Sequence, residues 1–463
     1  MVEQKPRLAR FLSPSEIQYV ISHLRQIMDC GFDWKVHFVY ENSIPESLPS
    51  SCVFFPKSSA GWDAAVNIDG IPILFTSSCK VEPFYEFGKS IVFNHDFIKS
   101  AFFLLSSYQE LEEDANRDSM GRFLYEGSVQ QKLNIAHIPV VNYYFDWIRK
   151  GIERWCILNG KFFKYVTLFR NPSIHLTHNV NNLRYFRGAN VIRGWGEILG
   201  IKEIDYSRKK KTKAMVYAAK QMFRTIDNER NPWWVFSKVQ SIESCFDFNS
   251  TWFFASQYDY NLSEPDIRSA MHQISSKGDD IGLLSPSEIT NTKEYTSHKS
   301  LLRENCIESL PYCRQSKLAI SGVDQLYNME QSNIMVDCSW GFVDHVGFRN
   351  SYCYPFYPYD HKHQCSLGIL EIPLAINDSN LLIDKVLDIE QLYEVLEQYL
   401  DQIRKFNGLL SVLLRNTTFD EFKNPDMYKT YEDMLRYFSQ YQVDAPTTTE
   451  VVRRMISVGG QMF

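Results

Sequence analysis

The 463-residue chain has ten cysteines, at 30, 52, 79, 156, 245, 306, 313, 338, 353 and 365, but no CxxC pair, which excludes a zinc ribbon. It has no run of about 18 apolar residues, so no membrane span is expected. Its first residues, MVEQKPRLARFLSPSE, hold no apolar stretch of signal-peptide length. Unpaired thiols in a chain read without an export signal predict a cytoplasmic location, where the sequons at Asn249 and Asn416 mean nothing. There is no G-x-S-x-G for a serine nucleophile, and neither a G-x-x-x-x-G-K-[ST] nor a G-x-G-x-x-G loop to cradle phosphates. An excess of positive charge is also missing. The 49 Lys and Arg against 55 Asp and Glu give a net charge of −6, so a nucleic-acid partner is not expected. The one basic run, Arg208-Lys209-Lys210-Lys211-Thr212-Lys213, reads as a solvated helix start.

What the chain does have is the balance of a folded protein, 44% hydrophobic and 22% charged residues, and length enough for two cores. Aromatics reach 14%, and most of these rings must fill those cores. Ser13-Pro14-Ser15-Glu16 before Ile17, Val20, Ile21 and Leu24 predicts a helix start. Val36–Tyr40 and Cys52–Phe55 read as short strands, and Asp69-Gly70 between apolar runs predicts a hairpin within 64–75. A helix is predicted over 96–113, a loop over 118–124 and another helix over about 141–158. Further on, 166–169, 174–177, 251–255 and 281–284 read as strands. Leu392, Val395, Leu396, Tyr399 and Ile403 share one helical face, Asn407-Gly408 stops that helix, and Leu409–Leu414 is an apolar strand. Strands alternating with helices predict an α/β fold: a small N-terminal α/β domain over 1–160, then a parallel sheet or (β/α) barrel over 165–463. Such folds place chemistry at the carboxyl ends of strands, here after Thr177, after Leu284, around 341–360 and after Leu414.

At those places the chain resembles the NodB-like polysaccharide deacetylases of the carbohydrate esterase family four type, and more closely a bacterial subgroup with an extra N-terminal domain of unknown function. FFLLSSYQELEEDANRDSMGRFL resembles that extra domain, and LTHNVNNLRYF the first catalytic motif. NPWWVF and TWFFAS look like the helix and strand that follow it. IGLLSPS occupies the place of the histidine motif, DCSWGFVDHVGFRNSYCYPFYPYD that of the aspartate, GFR and PF segment, and LLRNTTFD that of the strand ending in a catalytic histidine. The resemblance implies a distorted barrel. It also implies a divalent metal held by aspartate and histidines, a second aspartate as base and a histidine as acid.

The chain departs from that pattern at each charged or proton-exchanging position. Asn179 stands at the base position and Asn181 at a metal-ligand position. Leu284 (Ser285 if the alignment slips by one) replaces the ligand imidazole, and Arg415 replaces the acid histidine. A carboxamide cannot take a proton from water, leucine has no donor atom, and a guanidinium is permanently cationic. Arg349, in GFRN, is the element retained. The expectation is a catalytically degenerate protein with no metal cofactor, leaning away from enzyme activity. Its pocket is expected to bind an acidic or N-acetylated sugar through His178, Asn179, Asn181, Asp337, Trp340, Arg349 and Arg415, with Tyr352, Tyr354 and Tyr357 as further aromatic faces. Two alternatives stand beside it. One is a hydrolase of acetylated carbohydrate with a rearranged site drawn from His178, Asp344 and His345; the pair His361 and His363 could serve a relocated metal site but reads as surface histidines. The other is an interaction protein that binds a protein partner through residues 1–150.

Overall fold

The computed structural model describes residues 8–44, 51–112, 115–184, 231–256, 258–383, 389–421 and 423–459; the basic run 208–213 lies outside them. The helix Pro14–Arg25 begins with a reciprocal cap, Ser13 N–H donating to Glu16 Oε2 at 2.7 Å while the Ser13 hydroxyl accepts from Glu16 N–H. Strands β1 (Met28–Cys30), β2 (Phe38–Glu41), β3 (Val53–Pro56), β4 (Val66–Ile68), β5 (Ile71–Ile73), β6 (Phe84–Phe87) and β7 (Ser90–Phe93) follow. Asp69 and Gly70 turn the β4–β5 hairpin with φ of 51° and 80°, the two left-handed residues such a turn requires. The order β2-β3-β7-β6 makes a four-stranded sheet.

The helix predicted over 96–113 is shorter, Phe97–Leu105. The Ser106 hydroxyl bonds back to Phe102 O at 2.6 Å, Ser107 takes φ +53°, and a 3-10 turn, Tyr108–Leu111, follows. The strand predicted at 166–169 is also displaced. It lies earlier, at β8 (Phe163–Tyr165), paired antiparallel with β1.

The large sheet comprises β9 (Ser173–Val180), β10 (Ser250–Ala255), β11 (Asp280–Ser285), β12 (Tyr312–Gln315), β13 (Val336–Asp337), β16 (Leu370–Glu371), β17 (Leu374–Asn377) and β18 (Leu409–Arg415). The small β14 (Tyr359–Asp360) and β15 (Cys365–Ser366) pair only with each other. Strand order is β16-β13-β12-β11-β10-β9-β18-β17 with every pairing parallel. The two edge strands, β16 and β17, are separated in sequence only by Ile372 and Pro373. Three residue steps span at most about 11 Å, so the sheet must curl until its edges nearly meet. The result is an incomplete (β/α) barrel. β9 lies inside the sheet and is buried along all eight residues, which explains its mixed but largely occluded sequence SIHLTHNV.

At the amino ends of the strands the barrel is plugged by the start of the C-terminal helix, Thr448–Gly459. Thr448 Oγ1 meets His175 Nε2 at 2.9 Å and Thr251 Oγ1 at 3.0 Å, and Thr449 N–H donates to Asp280 at 2.6 Å. The hydrophobic cores of the N-terminal segment and the barrel are continuous. Among the described residues no helix is long and apolar enough to cross a membrane.

Candidate functional site

At the opposite end, where the parallel strands terminate, lies a cavity of about 230 Å³. Alternation along β9 turns Asn179 into the barrel mouth and His178 outward. Asn179 pairs in register with Arg415 of β18, so the two stand side by side at the rim. Asn179 is 3% exposed, and its carboxamide oxygen is buried with no hydrogen-bond partner among the described residues. The carboxamide oxygen of Asn181, just beyond the strand, is in the same state. Unmatched buried acceptors are unusual and costly, and they mark where a donor would be welcome.

Arg415 does not stand free. Its Nε and Nη2 lie 2.9 Å from Asp378 Oδ1, Nη2 also donates to the Ser379 hydroxyl at 2.7 Å, and its backbone N–H donates to Asp378 Oδ2 at 2.7 Å. Asp378, whose oxygen Oδ2 also accepts from Thr418, lines the cavity next to Asn377. On the far wall Lys317 and Leu318 follow the end of β12, and the N-terminal segment contributes Arg122. Arg122 donates from Nε to Asp118 Oδ2 at 2.7 Å and from Nη1 to Lys317 O at 2.6 Å. Burial opposes the charge on Asp118, yet the bonds from Arg122 hold its carboxyl below the usual range.

Asn179, Asn181 and Arg415 are therefore brought together; the other expected site residues are not. Leu284 is fully buried in the apolar core, and the neighbouring Ser285 hydroxyl is buried too. His178 is enclosed on the outer side of the sheet, its Nε2 2.8 Å from Glu243, which also accepts from Tyr431 and Ser250. Asp337 is buried and hydrogen-bonded to Ser339 and to Glu371; burial raises both acids, Glu371 most, against the opposing charge of Arg314. Trp340 is packed with its ring 4.6 Å from the Arg349 guanidinium. Arg349 itself is 1% exposed and bonds bidentately to Glu110 of the N-terminal segment, at 2.8 and 2.6 Å. It joins the two halves of the chain and does not line the cavity. Tyr352 and Tyr354 are buried against each other, and Tyr357 is half-buried with its N–H on His23.

The relocated-site candidates also have structural partners. Asp344 accepts from Tyr125 N–H at 2.9 Å, and the His345 ring stacks on Tyr125 at 3.7 Å. His361 bonds Ser106 O and His363 bonds Asp360. His175 is sealed in the barrel interior, where burial and then the charge of Arg314 lower its pKa to about 3. Among the described residues no three His, Cys, Asp or Glu side chains group to hold a metal ion. Among the described residues the cavity's own donors are carboxamides and one carboxylate already matched to Arg415; this set does not fit a divalent ion, which needs several anionic or imidazole donors. A larger hollow of about 540 Å³ lies beside Lys299 and Arg303 at the amino end of β12. Both cations there bond backbone carbonyls, and none of its lining side chains holds a buried unmatched atom.

Sequence reasoning missed Asn377, Asp378, Lys317 and Arg122. The first two end an apolar run, LAI, and the rule that chemistry follows strand ends would have found them. Arg122 lies in a loop with no local sign of facing the barrel.

Residues 13–156 match the model of a family of unknown function, DUF7033. No curated protein matches the chain. Among solved structures the chain is similar to Puue allantoinase, at 12% identity and TM-score 0.41, covering 62% of this chain and 90% of that one. It is similar to a probable polysaccharide deacetylase from Pseudomonas aeruginosa PAO1, at 12% identity and TM-score 0.40 over 62% of this chain and 91% of that one. A putative glycoside hydrolase/deacetylase from Parabacteroides distasonis gives 12% identity and TM-score 0.41 over 63% and 73%.

Proposed function

We propose that the protein is a catalytically degenerate, deacetylase-like barrel whose cavity binds an acidic or N-acetylated sugar without cleaving it. One observation carries the reading: Asn179 and Asn181 line the cavity at the end of a central strand, and their carboxamide oxygens are buried there without a partner among the described residues. Sugar hydroxyls are donors and would satisfy both oxygens, while the amide N–H groups suit ring or acetyl oxygens. Ligand pockets usually start near about 300 Å³, so this cavity of about 230 Å³ suits one sugar unit better than an oligomer.

Cleavage would need a group that takes a proton and another that gives one. Among the described residues the titratable side chains lining the cavity are Arg122, Lys317, Asp378 and Arg415, and the one carboxylate is engaged by Arg415. Asp344, His345 and His178 have partners elsewhere, which gives a rearranged hydrolase no support. Ten unpaired thiols support a reducing, cytoplasmic setting. Division into an N-terminal domain, 1–160, and a barrel, 165–463, belongs to the same proposal, with the N-terminal part also open to a protein partner.

The test is thermal denaturation against a panel of uronic acids and N-acetylhexosamines. A dose-dependent rise in Tm with at least one class is expected, with no acetate released from the N-acetylated members. No shift with any member would sink the sugar-binding reading, and acetate release would sink the non-catalytic part.

A further inference from the structure

We propose that the N-terminal segment completes the cavity: its Asp118–Arg122 loop holds the turn that carries Lys317, so that the Lys317 ammonium meets the carboxylate of an acidic sugar. This rests on the sugar-binding reading and narrows it to a monoanionic ligand. Charge balance favours an acid. Of the three cations that the described residues place at the cavity, Arg122 is paired with Asp118 at 2.6 Å and Arg415 with Asp378 at 2.9 Å. Lys317 is exposed and makes no hydrogen bond or ion pair through its ammonium with a described residue, although its charge reaches Glu288. Among the described residues the cavity thus carries one ammonium with no hydrogen-bonded counter-ion, beside two unmatched carboxamide oxygens. A ring with hydroxyls and a single carboxylate is complementary to that set.

Lys317 and Leu318 take φ of 58° and 51°, two consecutive left-handed residues without glycine. Such conformations persist where surrounding groups hold them. Here the holders come from the N-terminal segment: Arg122 Nη1 donates to Lys317 O at 2.6 Å, and Arg117 Nη1 donates to Ser321 O at 2.9 Å and to Gly121 O at 2.7 Å. On the other side the Tyr258 hydroxyl meets that of Ser316 at 2.6 Å. Asp118 shapes the loop by accepting from Met120 and Arg122 N–H groups. Arg122 is thus a positioning residue for Lys317, and the segment matched by a family of unknown function has a role at the binding site.

Isothermal titration of the full chain with D-glucuronate and with its methyl ester isolates the charge. The native protein is expected to prefer the acid by about tenfold, the scale of one charge-assisted contact. Lys317→Met and Arg122→Met should erase most of that preference, the acid losing about tenfold more affinity than the ester. Asp118→Asn keeps an acceptor for the loop but frees the Arg122 charge, and should tighten acid binding, a gain that misfolding cannot imitate. An acid preference that survives Arg122→Met, or an equal affinity of the native protein for acid and ester, overturns the inference and leaves sugar binding standing. Absence of binding to either compound and to every member of the wider sugar panel overturns both.

Discussion

Arg349 illustrates what one side chain's partner decides. The GFR motif made it a candidate for the pocket, but its guanidinium is bound by Glu110, 239 positions away in sequence. No local pattern could reveal that pairing. Removing one member of a buried ion pair strands the other, so Glu110→Gln should cost about 3 kcal/mol or more, read from guanidinium denaturation midpoints. The double change Glu110→Leu with Arg349→Met should recover much of the loss. The acid pair Asp337 and Glu371 makes a prediction in pH. Burial raises both, so folding takes up a proton there. The stability this confers is fully present below the unfolded value near about 4 and is lost as pH rises through the raised folded value. Glu371→Gln, a neutral mimic of the protonated acid, should flatten the decline above the ordinary carboxylate range. A variant that keeps the native pH slope would contradict the raised acid pair. By contrast, Asn179, Asn181 and Arg415, singled out through the resemblance to the deacetylase motifs, all line the cavity.

Elements with strong local signals stand where the sequence puts them. The reciprocal cap at Ser13 and Glu16, the Asp69-Gly70 hairpin, and the stop at Asn407-Gly408, where Asn407 takes φ +49°, each depend on contacts within a few residues. The failures occur where distant packing overrides local preference. The helix predicted over 96–113 breaks at Ser106 and Ser107, and the 3-10 turn after it carries Glu110 toward Arg349. Likewise the strand near 166 settles at 163–165 because β1 is available there for pairing. The plug formed by the last helix was invisible from sequence for the same reason: it depends on Thr448 meeting His175 and Thr251 across the barrel. Thr448→Ala removes the partner of two buried groups and should destabilise the fold by about 1–3 kcal/mol, measured by chemical denaturation. A change under a few tenths would mean the plug does not depend on this contact.

At the scale of the whole molecule, the eight-stranded parallel sheet curls because its edge strands are nearly consecutive in the chain, and that curl gathers the strand ends into one mouth. The α/β alternation was enough to expect such a sheet. It could not say that the N-terminal segment would share the barrel's core and supply Arg122 to its rim. The central claim is that this mouth holds a sugar through neutral carboxamides and one ammonium, without metal and without chemistry. The most direct measurement is a binding titration of the chelator-treated full chain against the uronic acid and N-acetylhexosamine panel, repeated with added zinc, with each sugar recovered and weighed by mass spectrometry. The account predicts saturable binding that zinc does not change and sugars recovered intact. Binding that appears only with zinc, or a recovered sugar lighter by an acetyl group, would contradict it.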